Sequence, residues 1–179
     1  MSTRLVALLR GINVGRNKRI AMADLRTLLT NLGYSDVQTY LQSGNAILSS
    51  ASSASEVAAE IEQALAQDLG LQSTVIVRSA GELAAVVAAN PLRGIATDPS
   101  KYLVGFLAGD PSAQGVQFVE TLDVAPDGVC LVGRELYLWC PSGVLDSPLN
   151  KVKWDRQLGV EVTMRNWNTV AKLADLTQV

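Results

Sequence analysis

VQTYLQSGNAILS, residues 37–49, is the stretch on which the fold turns. Val37 to Leu41 and Asn45 to Ser49 are two β-prone runs separated by Gln42-Ser43-Gly44, so the segment reads as a hairpin. Upstream, RLVALLR at 4–10 is a compact apolar run bounded by charge, which predicts a strand. A glycine-containing basic segment follows, and then Met22, Leu25, Leu28, Leu29 and Leu32 recur at helical spacing up to Gly33. Downstream, Ser53 with Glu56 forms a capping box for a helix carrying Val57, Ile61, Leu65 and Leu69 and closed by Gly70. Thr74 to Val77 predicts a further strand, so a hairpin set between two helices gives the order βαββαβ.

The same order then recurs. Ser79 with Glu82 opens a helix through Leu83, Val86 and Val87 that must end before Pro91, and residues 90–100 form the connection. Tyr102 to Ala108 predicts a strand, and Pro111 suits the first turn of a helix carrying Val116, Val119 and Leu122. Pro126-Asp127-Gly128 leads into hairpin strands 128–133 and 135–140. Residues 149–158 predict a helix ending at Gly159, Val160 to Met164 a strand, and Thr169, Val170, Leu173 and Leu176 a terminal helix. The predicted class is therefore α+β, with two tandem ferredoxin-like (α-β plait) modules of antiparallel sheet. The first spans 1–78, a connecting helix and linker 79–100, and the second module with its C-terminal helix 101–179.

Composition narrows the chemistry. The chain has no histidine, which removes the usual general base at neutral pH, the usual zinc ligand and every Ser-His or Cys-His arrangement. No metal and no cofactor are expected. Hydrophobic residues make up 48% of the chain, enough for a core, yet no apolar run is long enough to span a bilayer. Leu5 to Leu9 is too short for the core of a secretory signal, so the protein is expected in the cytosol, without a membrane partner. Cys130 and Cys140 fall on the two strands of one hairpin turning at Gly133-Arg134; that register sets Cys130 against Tyr137 and predicts two reduced thiols.

Three segments, LRGINVG at 9–15, YLQSGN at 40–45 and TMRNWNTV at 163–170, resemble the bacterial family called domain of unknown function 1697 (DUF1697). The resemblance runs over essentially the whole chain and implies two ferredoxin-like modules, with no established activity, substrate or cofactor. Met164 stands where that family usually carries a threonine, so the resemblance implies no second hydroxyl there.

The net charge of -2 argues against a protein whose main task is to neutralise a nucleic-acid backbone. Charge is uneven, however: Arg4, Arg10, Arg16, Lys18 and Arg19 fall in the first twenty residues with no acid among them. Ferredoxin-like order makes the first and third strands antiparallel neighbours, which brings the segment after Arg10 beside the 42–45 turn. Arg10, Asn13 and Arg16, with Gln42, Ser43 and Asn45, are the candidate ligands for a small phosphate or carboxylate, and Arg165 is an outer candidate. The competing reading gives Gly11, Asn13, Gly15 and Gly44 to turns, and Gln42 and Asn45 to backbone groups of the hairpin. GINVGRNK lacks the spacing of a Walker phosphate loop.

Two other classes stay open. An RNA-binding protein would stack bases on Tyr102, Phe106, Tyr137 and Trp139, although burial of those rings is the favoured reading. A histidine-free transferase would rely on Arg10 and Arg165 around an anionic substrate, with no catalytic nucleophile identified. Asn166 is read as a helix cap, and Lys151, Lys153 and Arg156 as a solvated helix face.

Overall fold

Leu5, Ala7 and Leu9 alternate with Val6 and Leu8 along β1 (Thr3–Leu9), so this strand is apolar on both faces, and both faces are buried. The structure is a computed structural model describing residues 1–178; Val179, the last residue of the second predicted module, lies outside the described residues. β1 runs antiparallel between β3 (Asn45–Ser50) and β4 (Val75–Ser79), and β2 (Ser35–Tyr40) completes the order β2-β3-β1-β4. α1 (Met22–Asn31) and α2 (Ala54–Leu69) set Leu25, Leu29, Ile61 and Leu65 in one core with Leu5, Ala7 and Leu9. The Ser53–Glu56 capping box opens α2, and Gly70 closes it in the left-handed conformation. α3 (Ala80–Ala89) follows β4 and begins on the predicted Ser79–Glu82 box.

The second sheet repeats the plan. β5 (Tyr102–Leu107) runs antiparallel between β7 (Glu135–Trp139) and β8 (Val162–Asn166), with β6 (Gly128–Val132) outermost, in the order β6-β7-β5-β8. α4 (Ala113–Thr121) and α5 (Trp154–Leu158) contribute Val119, Trp154 and Leu158 to a core with Leu107, Leu136 and Leu138. α6 (Trp167–Thr177) follows β8, and Asn166 caps it by accepting the Thr169 N–H at 3.0 Å. The chain thus holds two ferredoxin-like modules, each a four-stranded antiparallel sheet. By compactness it divides into Val86–Lys172 and a unit of Met1–Ala85 with the stretch from Leu173.

The repeat extends to the register. Leu5–Leu9 meets Val75–Ser79 in the same pairing in which Leu103–Leu107 meets Val162–Asn166. Read in that register, LVALL matches LVGFL and VIVRS matches VTMRN. Arg78 stands opposite Val6 as Arg165 stands opposite Val104.

Two expectations change. Pro111 precedes α4 instead of opening it, because Ser112 is the N-cap and its hydroxyl accepts the Gly115 N–H at 3.0 Å. The helix expected over 149–158 is a 3-10 turn at Pro148–Lys151 followed by α5. Leu149 and Trp154 are both buried in one core, and five residues apart on a continuous helix they would point in different directions. Extended backbone at Val152 breaks the helix and lets both face inward, with Trp154 Nε1 donating to the Leu149 carbonyl at 3.1 Å. Among the described residues, no helix is long and apolar enough to cross a membrane.

Candidate functional site

The chain leaves β1 through residues 10–20, and it enters β3 through the turn 41–44. The Leu9 N–H donates to the Gly44 carbonyl at 2.9 Å, and the Arg10 N–H to the Thr74 carbonyl at 2.9 Å. Asn13, in the left-handed region at φ 53°, spends its whole carboxamide on the scaffold. Its Nδ2 donates to the carbonyls of Ile20 at 2.9 Å and Gln42 at 2.7 Å, while its Oδ1 accepts the Ile20 N–H at 2.9 Å. This one side chain therefore closes the basic loop on itself and ties it to the hairpin turn.

Apolar packing reinforces the tie. Ile12 is buried against Gly44, where an added Cβ would lie 2.6 Å from Ile12 Cδ1 and 3.0 Å from Leu9 Cβ. At φ +87° the position already favours glycine, so both conformation and space demand it. Asn45 is fully buried and its Nδ2 donates to the Tyr40 carbonyl at 2.8 Å and to Ser43 Oγ at 3.0 Å. The turn-forming reading of Asn13, Gly44 and Asn45 thus has direct contacts behind it.

The remaining candidates lie nearer the surface. Arg16, Lys18, Arg19, Gln42 and Ser43 are exposed, and Arg10 is half-buried. Arg19 Nη2 donates to the Gly15 carbonyl at 2.6 Å, which fixes its guanidinium over the loop. A shallow depression of about 370 Å³ is lined by Asn13, Arg19, Ile20, Ala21 and Gln42, with no carboxylate among them. Arg19 is the basic side chain of that lining, and Gly11 and Gly15 of the same loop are left-handed at φ +67° and +66°. Among the described residues, no three Asp, Glu, Cys or His side chains are grouped to hold a metal.

Arg165 belongs to the second module. It is 8% exposed, its Nη1 donates to Thr163 Oγ1 at 2.8 Å and to the Met164 carbonyl at 2.9 Å, and burial pushes its pKa down to about 10, still charged at neutral pH. Sequence reasoning passed over Arg78, 2% exposed, whose Nη1 donates to the Val77 carbonyl at 3.1 Å. The shared pattern V-x-x-R followed by an N-cap residue, at 75–79 and 162–166, was the available signal.

The contacts have a common logic. The Val75 N–H goes to Glu62 Oε1 at 2.8 Å and the Val162 N–H to Asp155 Oδ1 at 2.9 Å, so these residues point their backbone away from β1 and β5. Two residues on, Val77 and Met164 do the same by strand alternation, and their carbonyls are the ones that the two arginines occupy. A carboxylate and a guanidinium thereby blunt the outer edge of β4 and, in the same way, of β8.

Tyr102 and Phe106 share a sheet face with Tyr137 and Trp139, as the register requires. None of the four rings is more than 6% exposed, Tyr102 stacks on Trp167 at 4.8 Å, and the Tyr137 hydroxyl donates to the Val86 carbonyl at 3.1 Å. Bases have no open platform there, which removes the surface on which the RNA reading depended. Cys130 lies opposite Tyr137 and Cys140 is buried; both thiols are free, and burial raises the pKa of each. Lys151, Lys153 and Arg156 are exposed, as a solvated face requires.

Residues 2–137 match the family model described as Protein of unknown function (DUF1697). The match takes in LRGINVG and YLQSGN and stops short of TMRNWNTV. A solved structure of a conserved bacterial protein from Streptococcus pneumoniae is similar over 99% of this chain and 100% of its own, at 26% identity and a TM-score of 0.79. No curated protein matches.

Proposed function

The chain belongs to the DUF1697 family, and we propose that it binds a small anionic molecule bearing phosphate or carboxylate where the 10–20 loop meets the 41–44 turn. One observation carries this reading: Asn13 holds the loop against the turn, where Arg19 lines a depression free of carboxylates and Arg16 and Lys18 are exposed on the same loop. Arg16, Arg19, Gln42 and Ser43 meet the ligand, and Arg10 adds charge from beneath. Asn13 and Asn45 act by shaping the site. Two free thiols support a reducing, cytosolic setting, and the Streptococcus relative supports a bacterial source.

Calorimetric titration with inorganic phosphate, pyrophosphate and citrate at low ionic strength tests the reading. Saturable binding is expected with at least one of them, weakened about tenfold or more by Arg16→Ala or Arg19→Ala, as for loss of a charge-assisted hydrogen bond. Binding that ignores both substitutions, or no binding of any of the three, overturns it.

A further inference from the structure

The four outer edges of the two sheets are not treated alike. β4 and β8 are blunted by Glu62 with Arg78 and by Asp155 with Arg165. β2 is blunted differently: its pairing with β3 shifts between Ser35 and Gln38, Asp36 sits at φ 52°, and the Asp36 carbonyl takes a hydrogen bond from Arg4 at 3.2 Å. β6, reading GVCLV, has no charge, no proline and no bulge.

The backbone of β6 can be assigned. The Leu107 N–H donates to the Arg134 carbonyl and the Cys140 N–H to the Lys101 carbonyl, so even-numbered residues of the β7 strand face β5. Glu135, Tyr137 and Trp139 therefore face β6 and meet Val132, Cys130 and Gly128. By alternation Val129 and Leu131 point their N–H and C=O groups outward, and among the described residues those groups have no partner. Val132 is 43% exposed beside them.

We propose that β6 is a self-pairing edge, on which a second copy of this chain adds its own β6 antiparallel about a two-fold axis through Cys130. The register follows from the backbone. Val129 pairs with Leu131 of the second copy and Leu131 with its Val129, each pair exchanging both N–H···O bonds, so every outward group on both strands is satisfied. A donor and an acceptor at 129 and again at 131 make the edge complementary to itself, which no blunted edge of this molecule is. Cys130 then faces its own copy in the close, non-hydrogen-bonded position, with Cα atoms about 4.5 Å apart, within disulfide reach. Two five-residue strands, each about 17 Å long, make a contact below the roughly 1,200 Å² of stable interfaces, so a weak dimer dissociating in the micromolar range is expected. This inference stands apart from the anion site.

Light scattering on the eluting full-length protein, combined with diamide oxidation, tests it. A dimer is expected at about 100 µM that falls apart on dilution through the micromolar range. Diamide, taking the two thiol hydrogens, links that dimer through a disulfide that Cys130→Ser abolishes and Cys140→Ser does not. Leu131→Pro, which removes an outward donor and leaves the β6–β7 bonds intact, yields a monomer. A wild-type monomer at about 100 µM, a dimer untouched by Leu131→Pro, or one that diamide does not link at Cys130 overturns the proposal. Should Leu131→Pro fail to fold, hydrogen exchange of the wild type decides: amides of Val129 and Leu131 protected only at high concentration support the pairing, and unprotected ones refute it.

Discussion

The first module leaves β1 by the long basic loop and turns into β3 through Leu41–Gly44; the second makes the same two connections with residues 108–112 and the two-residue turn Gly133-Arg134. Outside those connections the modules agree in four features: the register of the central strand with the last, the arginine on the last strand, a carboxylate on its first outward N–H and the capped helix that follows. What both modules keep is what a ferredoxin-like sheet with a protected last strand needs. What only the first has is the loop, its asparagine tie and its cluster of cations. Arg165, singled out by its motif, falls on the shared side of that division, and Arg16 and Arg19 on the other.

The comparison breaks first at the arginines. Arg78→Ala and Arg165→Ala each remove a buried side chain and uncover an edge carbonyl, and each is expected to cost about 2–4 kcal/mol in urea denaturation. The two values should agree within about 1 kcal/mol, since the groups hold equivalent places. A neutral Arg165→Ala beside a costly Arg78→Ala would show that Arg165 is retained for recognition. The turns sharpen the contrast at smaller scale. Gly44→Ala meets Ile12 and Leu9 as well as an unfavourable φ, for about 2–4 kcal/mol. Gly133→Ala, at φ +58° with open space around it, pays only the conformational term, about 1 kcal/mol. Asn13→Ala, with no counterpart in the second module, should cost about 1–2 kcal/mol and abolish anion binding together with the loop's order.

Much of this was legible in the chain because the signals are local. A capping box at 53–56 or 79–82, a glycine at 70 and alternating apolar residues act within a turn or two, and each lies where the sequence places it. The hairpin at 37–49 also carried the order, which put Arg10 and Gln42 at one sheet edge. Less legible were features decided across the fold. Helix 149–158 breaks because Leu149 and Trp154 must reach one core, and no local propensity reports that demand. Asn13 and Asn45 carry the same polar groups whether they bind a ligand or a carbonyl; only the positions of Ile20, Gln42 and Tyr40 separate the two uses. Arg78 went unnoticed since a lone arginine in VIVRS has no meaning until the register shows its twin.

The smallest effect expected lies in the second helix of each module, and it tests whether the difference there is one of capping. α2 starts on a reciprocal box in which Glu56 accepts the Ser53 N–H at 2.8 Å, and that bond, followed by the one from the Ser53 hydroxyl, holds the Glu56 carboxyl below its ordinary value. α5 starts at Lys153 with no side-chain cap. A carboxyl depressed in the folded state contributes stability that is fully present above its unfolded pKa, about 4.3, and is lost as pH falls through the folded value. Acid should therefore loosen the start of α2 below about pH 4 and leave α5 unaffected by that route. Hydrogen exchange at the Ser53 amide, followed from pH 6 down to about 3, reads the effect directly, and Glu56→Gln should flatten its pH dependence. An unchanged profile in Glu56→Gln would mean that the box does not hold the helix start, and that α2 owes its length to the Ile61 and Leu65 face alone.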